Sequence, residues 1–257
     1  MITYDRKAAE EIERSYRTPE IIRQRLQTLG ALALRAGEKV FDAGCGTGLL
    51  LQLIAGQVGK EGSAVGLDFS DDMLEFARGR CGDLDQVSLH QGSVTELPFD
   101  SESFDAASCI QTLLYVDEVE SALAELYRVL KPGGRLAVLE TDWRGVVINS
   151  PDIAFTRRII DAWDSAVPSP NLPVKLIPLL KRSGFSSIKV EAIPILNTSY
   201  SETVFSAGML EYFARYAVKQ KVISQLESEQ WLAQIHALAA EDAYFFSVNR
   251  FLFSAIK

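Results

Sequence analysis

The sequence predicts an α/β fold in which an open, mostly parallel β-sheet carries helices on both faces. From residue 37 onward, short apolar segments alternate with segments whose apolar residues recur at helical spacing. A glycine-rich turn follows the first apolar strand, and Asp68 closes the second. A chain of 257 residues suits a single core with additions, so we expect one domain over residues 1–257.

The core of this fold is expected over residues 37–140, with further strands after it. We predict strands at 39–43, 64–67, 87–90, 104–110, 136–140, 188–195 and 245–256. Helices are expected between them, and two of their first turns have capping residues: Ser70 for one, and Asp117 with Glu120 for another.

Three segments exceed what this sheet needs. Residues 1–36 are expected to form an N-terminal cap, with two helices over residues 5–36 divided near Pro19 and Thr18 able to cap the second. The segments 145–185 and 200–241 are expected on the substrate side, with helices near 152–166, 203–220 and 227–241. The proline-rich stretch 167–173 reads as a pocket wall or lid, or as a plain connecting loop.

Composition excludes several classes of protein. The net charge is −8 and no basic run exceeds the pairs Arg157–Arg158 and Lys181–Arg182, which argues against a nucleic-acid partner. The three cysteines lack metal-ligand spacing, so we expect no metal and a reduced, cytoplasmic protein. No stretch approaches the roughly 18 apolar residues of a membrane span, and the sequence does not start with the apolar core of a signal peptide.

The glycine turn lies within residues 40–48, which read Val-Phe-Asp-Ala-Gly-Cys-Gly-Thr-Gly. Such a turn lets a ligand lie against bare backbone before a helix begins. The dinucleotide pattern G-x-G-x-x-G fails here, because Leu49 occupies its third glycine position. Asp42 would repel a pyrophosphate, and its carboxylate suits a cationic ligand instead.

With Asp-x-Gly-x-Gly-x-Gly at this point, the stretch resembles motif I of the class I S-adenosylmethionine-dependent methyltransferases. The segment ending Leu-Lys-Pro-Gly-Gly-Arg at residue 135 is similar to their helix, turn and fifth strand. The resemblance implies a Rossmann-like sheet of seven strands, the last antiparallel, with helical lid additions. It also implies S-adenosylmethionine as cofactor, S-adenosylhomocysteine as product, and methyl transfer to a small molecule by a monomer or homodimer.

The resemblance assigns a cofactor-binding residue to each loop. Asp42 and the turn residues hold the methionine portion, Cys45 through its backbone amide, and Asp68 accepts the ribose hydroxyls. Tyr16 and Arg25 close over the methionine carboxylate. The turn residues meant here are Gly44, Gly46 and Gly48, which contact the methionine portion together with Asp42. Phe69 and Met73 lie on the adenine face, and Gly92, Ser93 and Val94 lie at its edge. The Ile110 backbone and the Gln111 side chain close the far side of the amine. Ser93 departs from the family, which usually has an acidic residue there.

Tyr115, Trp143 and Arg144 follow predicted strands and are assigned to the substrate, although core packing explains the two aromatic residues equally well. Displacement of a neutral thioether needs no acid, and neither His90 nor His236 is a convincing base, so no catalytic residue is assigned. Three alternatives stay open: the same cofactor used for cyclisation or alkyl transfer, a non-catalytic cofactor-binding protein, and a nicotinamide oxidoreductase.

Overall fold

The structure is a computed structural model that describes residues 6–257. Its strands are β1 Lys39–Ala43, β2 Ser63–Asp68, β3 Val87–Gln91, β4 Phe104–Ile110, β5 Leu130–Thr141, β6 Val147–Ile148, β7 Ser186–Asn197 and β8 Phe246–Ile256. Its α-helices are α1 Arg6–Ser15, α2 Pro19–Leu32, α3 Leu49–Val58, α4 Asp71–Cys81, α5 Val119–Val129, α6 Ile153–Asp164, α7 Pro173–Arg182, α8 Phe205–Lys219 and α9 Gln225–Ala240.

The strands form one sheet in the order β3-β2-β1-β4-β5-β8-β6, and β7 also pairs with β8. Strands β1 to β5 run parallel to one another, whereas β8 is antiparallel to β5. The first residues of β8 therefore lie at the edge where the parallel strands end, and Arg250 pairs there with Thr141. Open α/β sheets bind their ligands at this edge.

Apolar side chains cover both faces of the sheet. One buried cluster joins α2, α3 and Cys81 of α4 to one face, and the other joins α5, α6, α7 and α8 to the opposite face. The strands of such a sheet are apolar on both sides, as the buried pattern of β4 shows. This confirms the predicted fold class with helices on both faces.

The structure differs from the sequence prediction in several elements. There are eight strands in residues 6–257 rather than seven, because the two-residue strand β6 adds to the start of β8. Strand β5 begins at residue 130 rather than 136, and α7 was not predicted. These elements depend on pairing or packing partners that are distant in sequence.

Of the three predicted helix caps, only one makes a side-chain cap bond, although Thr18 does stand at the predicted N-cap position before Pro19. The Thr18 hydroxyl donates to the Ser15 carbonyl oxygen at 3.0 Å and makes no cap bond to α2. Helix α5 begins at Val119 without a side-chain cap, so Asp117 and Glu120 form no capping pair. The Ser70 cap is confirmed, since its hydroxyl accepts the Met73 N–H at 3.3 Å.

None of the helices between residues 6 and 257 has both the length and the apolar character that a bilayer crossing requires. Within the same range, no cluster of three or more His, Cys, Asp or Glu side chains is arranged to hold a metal ion.

Candidate active site

The glycine turn joins the ends of β1, β2 and β4. The Gly44 and Cys45 N–H groups both donate to the Leu67 carbonyl oxygen, at 2.7 and 2.9 Å. Gly44 and Gly46 have φ angles of 70° and 53°, in the left-handed region that favours glycine. A Cβ atom on Gly44 would lie 2.2 Å from Thr112 Oγ1, whereas one on Gly46 would meet nothing within 4 Å. The turn is therefore packed tightly at Gly44 and open at Gly46, where a ligand can approach the backbone.

Asp68 closes β2 directly beside this turn. Its Oδ2 accepts the Gly46 N–H at 2.8 Å, and its Oδ1 accepts the Ser70 N–H at 2.9 Å. Burial raises the pKa of this carboxyl, although these backbone bonds oppose the change. A carboxylate offers about four lone-pair positions, so Asp68 can still accept a ligand hydroxyl while it holds the turn in place.

Phe69 stands at the end of β2 with its side chain 79 % exposed, whereas Met73 and Val94 are buried. The loop after β3 is tied to this point by the Gly92 N–H, which donates to the Asp68 carbonyl oxygen at 3.0 Å. The Ser93 hydroxyl bonds the Thr95 hydroxyl at 2.7 Å. An exposed aromatic ring beside the Asp68 carboxylate gives a flat base a face on which to stack.

Asp42 lies beneath the turn, with an exposed fraction of 2 %. Its Oδ1 accepts the Ser108 hydroxyl hydrogen at 2.6 Å. Burial raises the pKa of this carboxyl to about 7, even though the Ser108 bond favours the charged form. Asp42 therefore titrates near neutral pH, and a cationic ligand above it would favour its ionised form.

Gln111 follows β4 with a φ of 53°. Its side chain is turned towards β5: Nε2 donates to the Leu139 carbonyl oxygen at 3.2 Å, and Oε1 accepts the Thr141 hydroxyl hydrogen at 2.6 Å. The predicted closure of the cofactor amine by this side chain would therefore require an exchange of these bonds. The Ile110 carbonyl oxygen accepts the Thr112 hydroxyl hydrogen at 3.1 Å.

Arginines collect above the turn. Arg25 Nη2 donates to the Tyr16 carbonyl oxygen at 2.5 Å, and burial lowers the pKa of Arg25, as does the charge of Arg80. Arg80 Nε donates to the Thr47 carbonyl oxygen at 3.0 Å, and its Nη2 pairs with Glu13 at 2.6 Å. This positive site suits the predicted methionine carboxylate. Sequence reasoning missed Arg80, because nothing in the pattern of α4 marks it as more than a surface residue.

The three residues assigned to the substrate occupy different surroundings. Trp143 is buried, packs edge-on against Trp163 and Phe213 with ring centroids 5.8 and 5.9 Å away, and leaves its Nε1 without a partner. Tyr115 is half-buried against the same core. Arg144 is exposed and pairs with Asp164 at 2.9 Å. The structure thus brings the two aromatic residues into one apolar cluster and gives Arg144 a partner at the surface.

Two buried ionisable residues escaped sequence reasoning. Glu140 ends β5, and its Oε1 accepts the Leu113 and Thr112 N–H groups at 2.8 and 3.2 Å. Burial raises the pKa of Glu140 to about 8. Arg250 of β8 donates to Gln24 of α2, and its guanidinium lies 5.0 Å from the Phe205 ring centroid. No local motif marks either residue.

Residues 41–138, from β1 to β5, match the family described as "Methyltransferase domain". A Streptomyces fradiae protein, the "Uncharacterized 37.1 kDa protein in transposon TN4556", is 33 % identical over 240 residues, which is 91 % of this chain and 65 % of that protein. Demethylmenaquinone methyltransferase of Listeria welshimeri is 35 % identical over 144 residues, or 55 % of this chain and 58 % of the relative. The chain therefore spans less than two thirds of the length of both.

Solved structures share the fold. Phosphoethanolamine N-methyltransferase 2 of Haemonchus contortus, solved with phosphomonomethylethanolamine and S-adenosylhomocysteine, has a TM-score of 0.65 and 19 % identity over 99 % of this chain and 58 % of the other. The [4+2]-cyclase SpnF has a TM-score of 0.60 and 22 % identity over 91 % and 80 %. At these identities the likeness concerns the fold alone.

The observed turn, the acid at the end of β2 and the matched domain agree with one another. The open side of Gly46 leaves room for a ligand against the backbone. The Asp68 carboxylate can accept the hydroxyls of the expected ribose, and the exposed Phe69 ring can stack on the expected base. Residues 41–138 of this chain therefore form a methyltransferase domain, and its glycine turn and strand-end carboxylate fit the S-adenosylmethionine expected from the sequence.

Proposed function

We propose that this protein transfers a methyl group from S-adenosylmethionine to a small-molecule acceptor. The observation that carries the proposal is the bond between Gly46 N–H and Asp68 Oδ2 at 2.8 Å, next to a Gly46 face that no protein atom fills. This arrangement offers a hydroxyl acceptor and bare backbone within one turn. Tyr16, Arg25 and Arg80 would hold the methionine end, and Asp68, Phe69 and the loop at 92–94 the nucleoside end.

A roof of helices over the strand ends supports the proposal that the acceptor is a small molecule. Helix α1 is joined to α8 by the pair Glu11–Arg215 at 2.7 Å, and Glu20 of α2 accepts a hydrogen bond from Asn197 at the end of β7. The N-terminal pair and the segment after β7 thus meet above the sheet. A polymer would not pass under such a roof without separating these contacts. The demethylmenaquinone methyltransferase relative also carries a name that implies a small acceptor.

S-adenosylmethionine supplies the electrophilic methyl group, and a neutral thioether leaves. The residues of this chain then have two tasks, to align the acceptor and to exclude water. Aromatic side chains at the strand ends, among them the half-buried Tyr115 and the buried Trp143, serve both tasks by providing an apolar wall. A base is needed only if the acceptor atom carries a proton at neutral pH.

Calorimetric titration with S-adenosylmethionine and with NAD tests the cofactor assignment, and we expect binding of the first alone. Incubation with a metabolite extract and S-adenosylmethionine tests the reaction. Mass spectrometry should then show S-adenosylhomocysteine and a product heavier by one methylene. Product formation with no change in mass would instead support cyclisation, which the fold also hosts in SpnF. Cofactor binding without any product would support a non-catalytic role.

A further inference from the structure

Arg250 is a buried cation without an anionic partner. Its exposed fraction is 2 %, its Nη1 donates to the neutral amide of Gln24, and its Nε has no hydrogen-bond partner. Among the salt bridges found within residues 6–257, none includes Arg250. A buried guanidinium with an unused N–H is costly, and it stays protonated at neutral pH although burial lowers its pKa.

The acidic groups nearest to Arg250 do not neutralise it. Burial raises the pKa of Glu140 to about 8, so this carboxyl is mainly protonated at pH 7. Its Oε1 is already bonded to the backbone after β4, and its Oε2 has no partner. Burial also raises the pKa of the Tyr16 hydroxyl, which keeps it neutral. A positive charge with an unpartnered donor is therefore left at the edge of the sheet where β5 ends.

The position of Arg250 matches that of an acceptor rather than that of the nucleoside. It lies in β8 opposite Thr141, the last residue of β5, and contacts Gln24 of α2 and Phe205, the first residue of α8. The charges of Arg250 and Glu140 act on the Tyr16 hydroxyl, and so do those of Arg25 and Asp68. Tyr16 therefore lies near both the predicted cofactor residues and Arg250.

We propose that Arg250 binds an anionic oxygen group of the acceptor, a carboxylate or a comparable planar oxyanion. Nε supplies a charge-assisted hydrogen bond, Phe205 covers one face of the guanidinium, and Gln24 fixes its orientation. This assignment rests on the proposed function, because the group that Arg250 binds would belong to the methyl acceptor. The titrations that test it do not require methyl transfer. An acceptor of this kind would combine an acidic end with an apolar body that fits Tyr115 and the neighbouring rings.

Nuclear magnetic resonance of the Arg250 side chain tests this assignment. The ¹⁵N–¹H resonance of Nε is identified by its loss in Arg250→Lys. In the protein saturated with S-adenosylhomocysteine, benzoate and acetate are then titrated against neutral benzamide. We expect a saturable shift of this resonance with the two carboxylates and none with benzamide. No shift with either carboxylate, or an equal shift with benzamide, would overturn the assignment.

Variants give a second readout. Arg250→Gln should lower the affinity for benzoate by about ten- to a hundredfold, and Arg250→Lys by less, because the charge is kept. Arg182→Gln is the matched control, since Arg182 forms an exposed pair with Glu120. If Arg250→Gln, Arg250→Lys and Arg182→Gln all bind benzoate with the same affinity, the assignment is refuted. If Arg250→Gln does not fold, the affinity of Arg250→Lys and the shift of the wild-type Nε resonance test the assignment. Calorimetry with S-adenosylhomocysteine is run first, so that a failure of the cofactor proposal is recognised separately. If S-adenosylhomocysteine does not bind, the benzoate titration is made in its absence.

Discussion

The Glu140→Gln substitution should change how the stability of this protein depends on pH. Glu140 is fully buried at the end of β5, where Oε1 accepts two backbone N–H groups and Oε2 has no partner. Burial raises its pKa from an ordinary value of 4.5 to about 8. The folded state therefore holds a proton that the unfolded chain releases between these values. Glutamine keeps the size and the accepting oxygen but cannot ionise.

The sign and size follow from this difference in proton binding. Because the folded pKa is the higher one, the stabilisation is complete below pH 4.5 and is lost as the pH rises through about 8. A change of 3.5 pKa units corresponds to at most about 5 kcal/mol, of which about 4 kcal/mol falls between pH 5 and pH 9. The free energy of unfolding of the wild type, relative to Glu140→Gln, should fall by up to that amount over this range.

Urea unfolding at several pH values between 5 and 9 measures this directly for both proteins. The buried Asp42 is present in both, so its own titration cancels in the difference. Glu61→Gln, at an exposed position, is the matched control and should show no such trend. A difference between wild type and Glu140→Gln that does not change with pH would mean that Glu140 is ionised in the folded protein, and the reasoning would fail.

Three other predictions concern the turn and the thiols. Asp68→Ala should weaken S-adenosylmethionine binding by about 1–3 kcal/mol, measured by calorimetry against exposed Asp85→Ala, and equal affinity would place the ribose elsewhere. Gly44→Ala should destabilise the fold by about 2–5 kcal/mol in urea, because its Cβ would meet Thr112 Oγ1 at 2.2 Å, whereas Gly46→Ala should cost about 1–2 kcal/mol and mainly impair cofactor binding. Equal losses of stability would contradict this contrast. Iodoacetamide should alkylate the native protein at least about tenfold more slowly than the unfolded chain, since burial raises the pKa of all three thiols: Cys45, Cys81 and Cys109. Rapid native labelling, followed by mass spectrometry, would contradict it.

Sequence reasoning succeeded where the constraint is local. A turn with positive φ at Gly44 and Gly46 needs glycine whatever surrounds it, so the sequence marks the turn directly. The alternation of apolar strands and amphipathic helices also predicts the sheet, because each of these patterns is read within a few adjacent residues. The fold class and the methyltransferase domain were confirmed, and the assignment of individual residues to parts of the cofactor stays a prediction.

Sequence reasoning failed where two partners compete for one group. Thr18 and Asp117 are of the residue types that cap helices. However, the Thr18 hydroxyl donates to the Ser15 carbonyl oxygen, and α5 begins two residues beyond Asp117. The side chain of Gln111 likewise bonds β5. A capping or binding pattern gives the types of atom that can bond, but not which of several neighbours is nearer.

The sequence by itself determined the alternation of strands and helices in the core, the bare turn and the acid that closes β2, because each is encoded within a few adjacent residues. Only the tertiary structure decided which charges share the interior. Gln24 and Arg250 are 226 positions apart, and Arg80 reaches Thr47 and Glu13 from another helix. Burial then shifts the pKa of Glu140 and leaves Arg250 unpaired, since the cost of a charge depends on the atoms packed around it rather than on its neighbours in the chain.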